Sequence, residues 1–148
     1  MYKKIMVAID DSDTSRGALA EALHIARSSQ AKLYIVHVAD ETLLGMQHRT
    51  LSTTLNVEQA FQTITHAGSK LLADALAQAQ GLEAEVALLE ARQQRVSEVL
   101  LAKAKELGVD LIVVGRHGQR GLAKLILGSV AEQLAKLADA SVLLVRKH

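Results

Sequence analysis

The chain has 148 residues, of which 49% are hydrophobic and 22% charged; this is the composition of one folded domain, long enough to bury about two-thirds of its unfolded surface. A formal net charge of +1, an aromatic content of 2% and the lack of Trp argue against a nucleic-acid surface, which needs basic patches or stacking rings, and against an anionic membrane. No Cys is present to form disulfides, thiolate metal sites or cysteine nucleophiles, no run of roughly 18 apolar residues could span a membrane, and Ile5-Met6-Val7-Ala8-Ile9 meets Asp10-Asp11 too soon for a signal peptide, so the expectation is a cytoplasmic protein without membrane insertion.

Ile5 to Ile9 reads as a buried strand. Asp10-Asp11-Ser12-Asp13 is a polar break rich in capping residues, and Ala18, Leu19, Ala22, Leu23 and Ala26 then recur at helical spacing. Leu33 to Val38 is a second apolar strand. Ala39 to Asn56 is polar and aperiodic, a length of loop that is usually functional. Val57 to Gln80 predicts a long helix with its apolar stripe at Phe61, Ile64, Leu71, Leu72, Ala75 and Leu76, and Gly81 as the residue after its cap. Glu85 to Leu89 is the third strand, Val96 to Leu107 a helix closed by Gly108, Leu111 to Val114 the fourth strand, Val130 to Leu137 the fourth helix and Ser141 to Val145 the last strand.

Strand and helix therefore alternate strictly, and several strands are continuous apolar runs, as parallel strands covered on both faces must be. The expected fold is a single-domain open doubly wound α/β sheet of five parallel strands, helices on both faces, strand order 3-2-1-4-5, spanning residues 1–148. Ligands of such sheets sit beyond the strand carboxyl ends where the strand order reverses. Two polar loops converge there, Asp10 to Ser15 and Gly115 to Ser129.

The second loop carries the chemistry. Gly115-Arg116-His117-Gly118-Gln119-Arg120-Gly121 follows a strand, and Gly128-Ser129 opens a helix. Glycines let the main chain approach an anion, and free N–H groups at a helix start point at it, favoured by the helix dipole. The loop is thus read as holding the phosphates of a nucleotide. Arg116, Arg120 and Lys124 add positive charge, either as a solvated face or as phosphate contacts. Ser129-x-x-Glu132 also fits a capping box, so phosphate binding and helix capping compete for Ser129. Asp10 has a similar rival role, capping the first helix or bonding its own loop.

The spacing Gly115-x2-Gly118-x9-Gly128-Ser129 resembles the ATP-binding signature of the universal stress protein family, and the resemblance covers essentially the whole chain. Lys4 to Asp10 is similar to the family's first strand with its terminal Asp, Ala31 to Val38 to its second strand with a closing His-Val, and Asp110 to Gly115 to its fourth. The resemblance implies that Asp10 lies at the nucleotide and that Ala8, Ile9 and Val38 line the adenine. Val114 and Gly115 would approach the ribose. Gly118, Gly128, Ser129 and Val130 would hold phosphates through main-chain N–H groups, with Arg116 and His117 beside them. It further implies ATP with Mg²⁺, and a homodimer through the C-terminal strand, Ser141 to Val145. An apolar Val-Leu-Leu-Val edge without Pro or Lys is itself a reason to pair. Two departures stand out: the chain has no Pro near its last strand, and Glu90-Ala91-Arg92-Gln93-Gln94-Arg95 replaces a Gly-Asp/Asn-Pro type of turn.

No Walker A, GxGxxG, SGGxDS-like or HIGH-like motif is present, and neither a serine–histidine–acid trio nor a catalytic carboxylate pair is evident. His117 reads as a satisfied or solvent-exposed residue rather than a base, His37 as a packed strand residue, and His24, His48, His66 and His148 as surface, with no metal-ligand spacing. No catalytic residue and no protein-held metal is expected. The leading expectation is an ATP-binding regulatory dimer of the stress response, acting on a protein partner with slow or no hydrolysis. The alternatives are a nucleotide-independent dimeric interaction module and a weak nucleotide hydrolase or transferase.

Overall fold

A computed structural model describes residues 1–40, 54–117 and 127–146. The elements in chain order are β1 (Lys4–Ala8), α1 (Asp13–Ser29), β2 (Lys32–Ala39), α2 (Thr54–Ala77), β3 (Ala84–Glu90), α3 (Val96–Leu107), β4 (Leu111–Gly115), α4 (Ser129–Leu137) and β5 (Ser141–Val145). All strands pair in parallel, in the order β3-β2-β1-β4-β5. The expected doubly wound α/β sheet and its strand order are those observed.

Two cores, one on each face, explain why the strand runs are continuously apolar. Alternate residues point to opposite faces of a strand. Ile5, Val7, Leu33, Ile35 and Val113 pack with Ala18, Ala22, Leu72 and Ala75 of α1 and α2. Met6, Val36, Ile112 and Val114 pack with Leu100, Ala104, Ala131 and Leu134 of α3 and α4. Burying each Leu or Ile contributes about 1.5–3 kcal/mol. The alanine stripe of α1, Ala18, Ala22 and Ala26, is fully buried and lets that helix lie close to the sheet.

Local chemistry sets the helix ends. Ser12 caps α1, its side chain accepting from the N–H of Ser15. Gly108 closes α3 in the left-handed region (φ 66°), its N–H donating to the carbonyls of Ala104 and Lys105. The expected role of Gly81 differs: α2 ends at Ala77, and Gly81 (φ 82°) serves the turn that leads into β3 rather than the cap itself. His48, Gly118, Arg120, Gly121, Lys124 and His148 lie outside the described residues, as does most of the stretch from Ala39 to Asn56.

Candidate functional site

The sheet opens at one place. The β1–β4 ladder runs from Ile5↔Leu111 only to Val7↔Val113, whereas β1–β2 continues to Ala8↔Val36 and β4–β5 to Gly115↔Val145. The tips of β1 and β4 therefore part at the reversal of strand order, which is where such sheets take ligands.

On the β1 side, Ile9 stays bound to β2, its N–H donating to the Val36 carbonyl at 2.9 Å. Its own carbonyl accepts from Nδ1 of His37 at 2.7 Å; a carbonyl only accepts, so Nδ1 carries the hydrogen. His37 is thus a bonded strand residue, as its sequence context implies. Ile9, Val38 and Val114 are buried, Ala8 half-buried, so an apolar wall lines the carboxyl ends of the central strands. Asp10 folds onto its own loop: one carboxylate oxygen accepts from the Ser12 N–H and its N–H donates to Ser15 Oγ, both at 2.8 Å. It does not cap α1, since Ser12 holds that position.

On the β4 side, the Arg116 N–H donates to the Val145 carbonyl at 2.8 Å and the Arg116 carbonyl accepts from the Gly128 N–H at 2.9 Å. The hydroxyl of Thr14 donates to the His117 carbonyl. Residues 116 and 117 are thereby tied to β5, to the start of α4 and to the start of α1. Gly115 has a structural reason of its own: a Cβ there would stand 2.7 Å from Thr14 Oγ1, so the glycine admits α1 rather than leaving open space.

The start of α4 corrects one expectation. Gly128, not Ser129, is the N-cap, and among the described residues the helix has no side-chain cap bond. Ser129 is exposed at the first helical position, so the capping box is not formed; Glu132 instead pairs with Lys136 at 2.7 Å. The first turn of a helix carries N–H groups without intrahelical partners, and here they belong to Ser129, Val130 and the residue that follows. His117 also departs from expectation. It is half-buried, and its Nδ1 is buried without a hydrogen-bond partner among the described residues, so it is neither satisfied nor simply solvent-exposed. His24 and His66 are exposed, as expected.

Ala8, Ile9, Asp10, Val38, Val114, Gly115, Arg116, His117, Gly128, Ser129 and Val130 all fall at the carboxyl edge of the sheet or on the loops leaving it. Thr14 escaped sequence reasoning; a threonine in the first turn of a helix carries no pattern that announces a contact with a residue about one hundred positions away. Among the described residues no group of three or more His, Asp or Glu could hold a metal ion. A separate surface hollow of about 330 Å³, lined by Tyr34, Glu85, Val86, Ala87, Lys103 and Leu107, lies near the β3 edge and the C-terminal half of α3, away from the crevice.

The profile of the universal stress protein family matches residues 1–146. Universal stress protein YxiE of Bacillus subtilis is 37% identical over 153 residues, covering 99% of this chain and 100% of its own. The chain belongs to the universal stress protein family. In fold it is similar to solved MJ0577 of Methanocaldococcus jannaschii (TM-score 0.82, 23% identity, covering 100% of this chain and 98% of that one). It is also similar to the universal stress protein of Archaeoglobus fulgidus solved in complex with dAMP (TM-score 0.64, 23% identity, covering 97% and 98%).

Proposed function

We propose that this universal stress protein binds an adenine nucleotide, ATP with Mg²⁺, in the crevice between the tips of β1 and β4, as one nucleotide-binding domain. The observation that carries the reading is the start of α4: a helix N-terminus with no side-chain cap among the described residues, begun by a glycine, tied through Arg116 to the tip of β4. An anion at such a terminus completes N–H groups that have no intrahelical partner. The family relative from Archaeoglobus that was solved with dAMP supports an adenine nucleotide as the class of ligand.

In this reading Ala8, Ile9 and Val38 form the adenine wall, with the Ile9 carbonyl oriented by His37. Asp10 faces the ligand across its own tight loop. Val114 and Gly115 lie along the ribose, and Gly118, Gly128, Ser129 and Val130 hold the phosphates, with Arg116 and His117 alongside. Mg²⁺ would supply positive charge that offsets that of the phosphates. In this reading the nucleotide acts as a regulatory ligand, with hydrolysis slow or absent. Binding would alter affinity for a protein partner in the stress response, in the cytoplasm, with two copies joined along β5.

Calorimetric titration with ATP and Mg²⁺ tests the site. The wild-type protein is expected to bind in the micromolar range, and Gly118→Val with Gly128→Val to abolish binding while keeping the circular dichroism spectrum. Equal binding by both proteins overturns the site. Mass spectrometry of small molecules released from fresh protein identifies the nucleotide. A second reading, a nucleotide-independent interaction module, is favoured by one observation: the space beside Gly115 is filled by Thr14, so that glycine has a use without any ligand.

A further inference from the structure

Buried polar atoms in folded proteins are almost always hydrogen-bonded, and each exception calls for a reason. Nδ1 of His117 is such an exception: it is buried and has no partner among the described residues. The backbone around it has little freedom to relieve the fault. The His117 carbonyl accepts from Thr14, and Arg116 is held by Val145 at 2.8 Å and by Gly128 at 2.9 Å. The backbone that carries this nitrogen is therefore held between the first turn of α1 and the start of α4.

We propose that Nδ1 of His117 is a phosphate-contacting group, completed only when the nucleotide is bound. This rests on the nucleotide reading given above. A phosphate oxygen offers lone pairs and no hydrogen, so the imidazole donates its Nδ1–H to it. The ligand-free protein carries the desolvation cost of an unpaired donor, and binding removes it. Affinity gains the hydrogen bond together with the relief of a buried fault. The position adds a side-chain donor to main-chain donors, which favours a phosphorylated ligand over the bare nucleoside.

The test compares wild-type protein with His117→Asn, His117→Gln and His117→Leu. The Asn amide nitrogen stands close to the place of Nδ1, whereas the Gln amide reaches the place of Nε2. Titrations use ATP with Mg²⁺ and, separately, adenosine. His117→Leu and His117→Gln are expected to bind ATP about tenfold more weakly, the loss of one hydrogen bond to a charged group. His117→Asn is expected to stay within about threefold of wild type, and adenosine binding to change less than about twofold in every variant. Thermal melting of ligand-free His117→Leu is expected at or above the wild-type temperature, because an unpaired buried polar group is gone. Wild-type ATP binding that His117→Leu leaves unchanged overturns the contact while sparing the nucleotide reading. A tenfold loss for adenosine as well overturns the phosphate assignment. A lower melting temperature for ligand-free His117→Leu, with equal loss for both ligands, makes the ring a structural element and overturns the proposal. Absence of ATP binding by the wild-type protein ends both readings.

Discussion

A Cβ built on Gly115 would stand 2.7 Å from Oγ1 of Thr14 and 3.0 Å from both its Cβ and its carbonyl carbon. The tip of β4 and the first turn of α1 thus meet where only a hydrogen fits, and the same threonine donates to the His117 carbonyl. One residue of α1 both requires the glycine and pins the loop that follows it.

Gly115→Ala is therefore expected to cost stability. One of the three close atoms belongs to the Thr14 backbone, so rotating the threonine side chain cannot clear the clash. Forcing a methyl into such a contact costs about 1–3 kcal/mol. Thr14→Ala added to Gly115→Ala should recover only part of the loss, since the carbonyl carbon and Cβ remain. Denaturant unfolding of the single and double variants reads this directly. A Gly115→Ala protein as stable as wild type shows that α1 can withdraw from β4.

Local rules made most of the fold legible. Continuous apolar runs at 33–38 and 111–114 mark strands buried on both faces. Gly108 ends α3 where a left-handed residue is needed, and the bounds of α3 and β5 follow from pattern alone. The crevice was legible as a strand–glycine–helix spacing. Tertiary contacts were not: Thr14 meets Gly115, and His37 meets Gly68, across separations that no local pattern encodes. The start of α4 shifted by one residue because Gly128 adopts the extended cap geometry and Glu132 pairs with Lys136 instead of reaching back. The burial of His117 Nδ1, without a partner among the described residues, is likewise a tertiary feature that the sequence does not announce.

The turn between β3 and α3 is the one the sequence marked as unusual. Arg92 (φ 44°) and Gln93 (φ 68°) are both left-handed, and the Gln94 N–H donates to the Ala91 carbonyl at 2.9 Å. Positive φ at both central residues is the type I′ arrangement, which strongly prefers Asn and Gly. Gln93→Gly should therefore stabilise the protein by about 0.5–1 kcal/mol. Arg92 is better left in place, because its Nε pairs with Glu90 at 2.8 Å. Chemical denaturation measures the gain; an unchanged or lower midpoint shows that the strain is already offset.

Gly68 lets α2 lie on the sheet over His37. A Cβ there would stand 2.7 Å from His37 Cδ2 and 2.9 Å from Leu88 Cδ1. Both are side-chain atoms, yet the imidazole has little room to retreat while Nδ1 is bonded to Ile9. Gly68→Ala should cost about 1–3 kcal/mol and weaken the His37–Ile9 bond. The Nδ1 proton of His37, observed by NMR, is expected to exchange faster with solvent in the variant. A stable Gly68→Ala protein with an unchanged Nδ1 resonance shows that α2 is free to shift.

The proposed dimer has a test that follows from strand parity. β5 lies at the end of the sheet and, among the described residues, pairs only with β4. The Ser141 N–H donates to Asp110 and the Val145 carbonyl accepts from Arg116, so Ser141, Leu143 and Val145 turn their main-chain groups toward β4. Successive residues of a strand alternate, so Val142 and Leu144 turn theirs to the open edge. Val142→Pro removes an outward donor and no bond to β4, a position where an edge strand tolerates proline. Light scattering is expected to show a wild-type dimer and a folded Val142→Pro monomer, with monomer stability changed by about 1 kcal/mol or less. A Val142→Pro protein that remains a dimer places the interface away from β5.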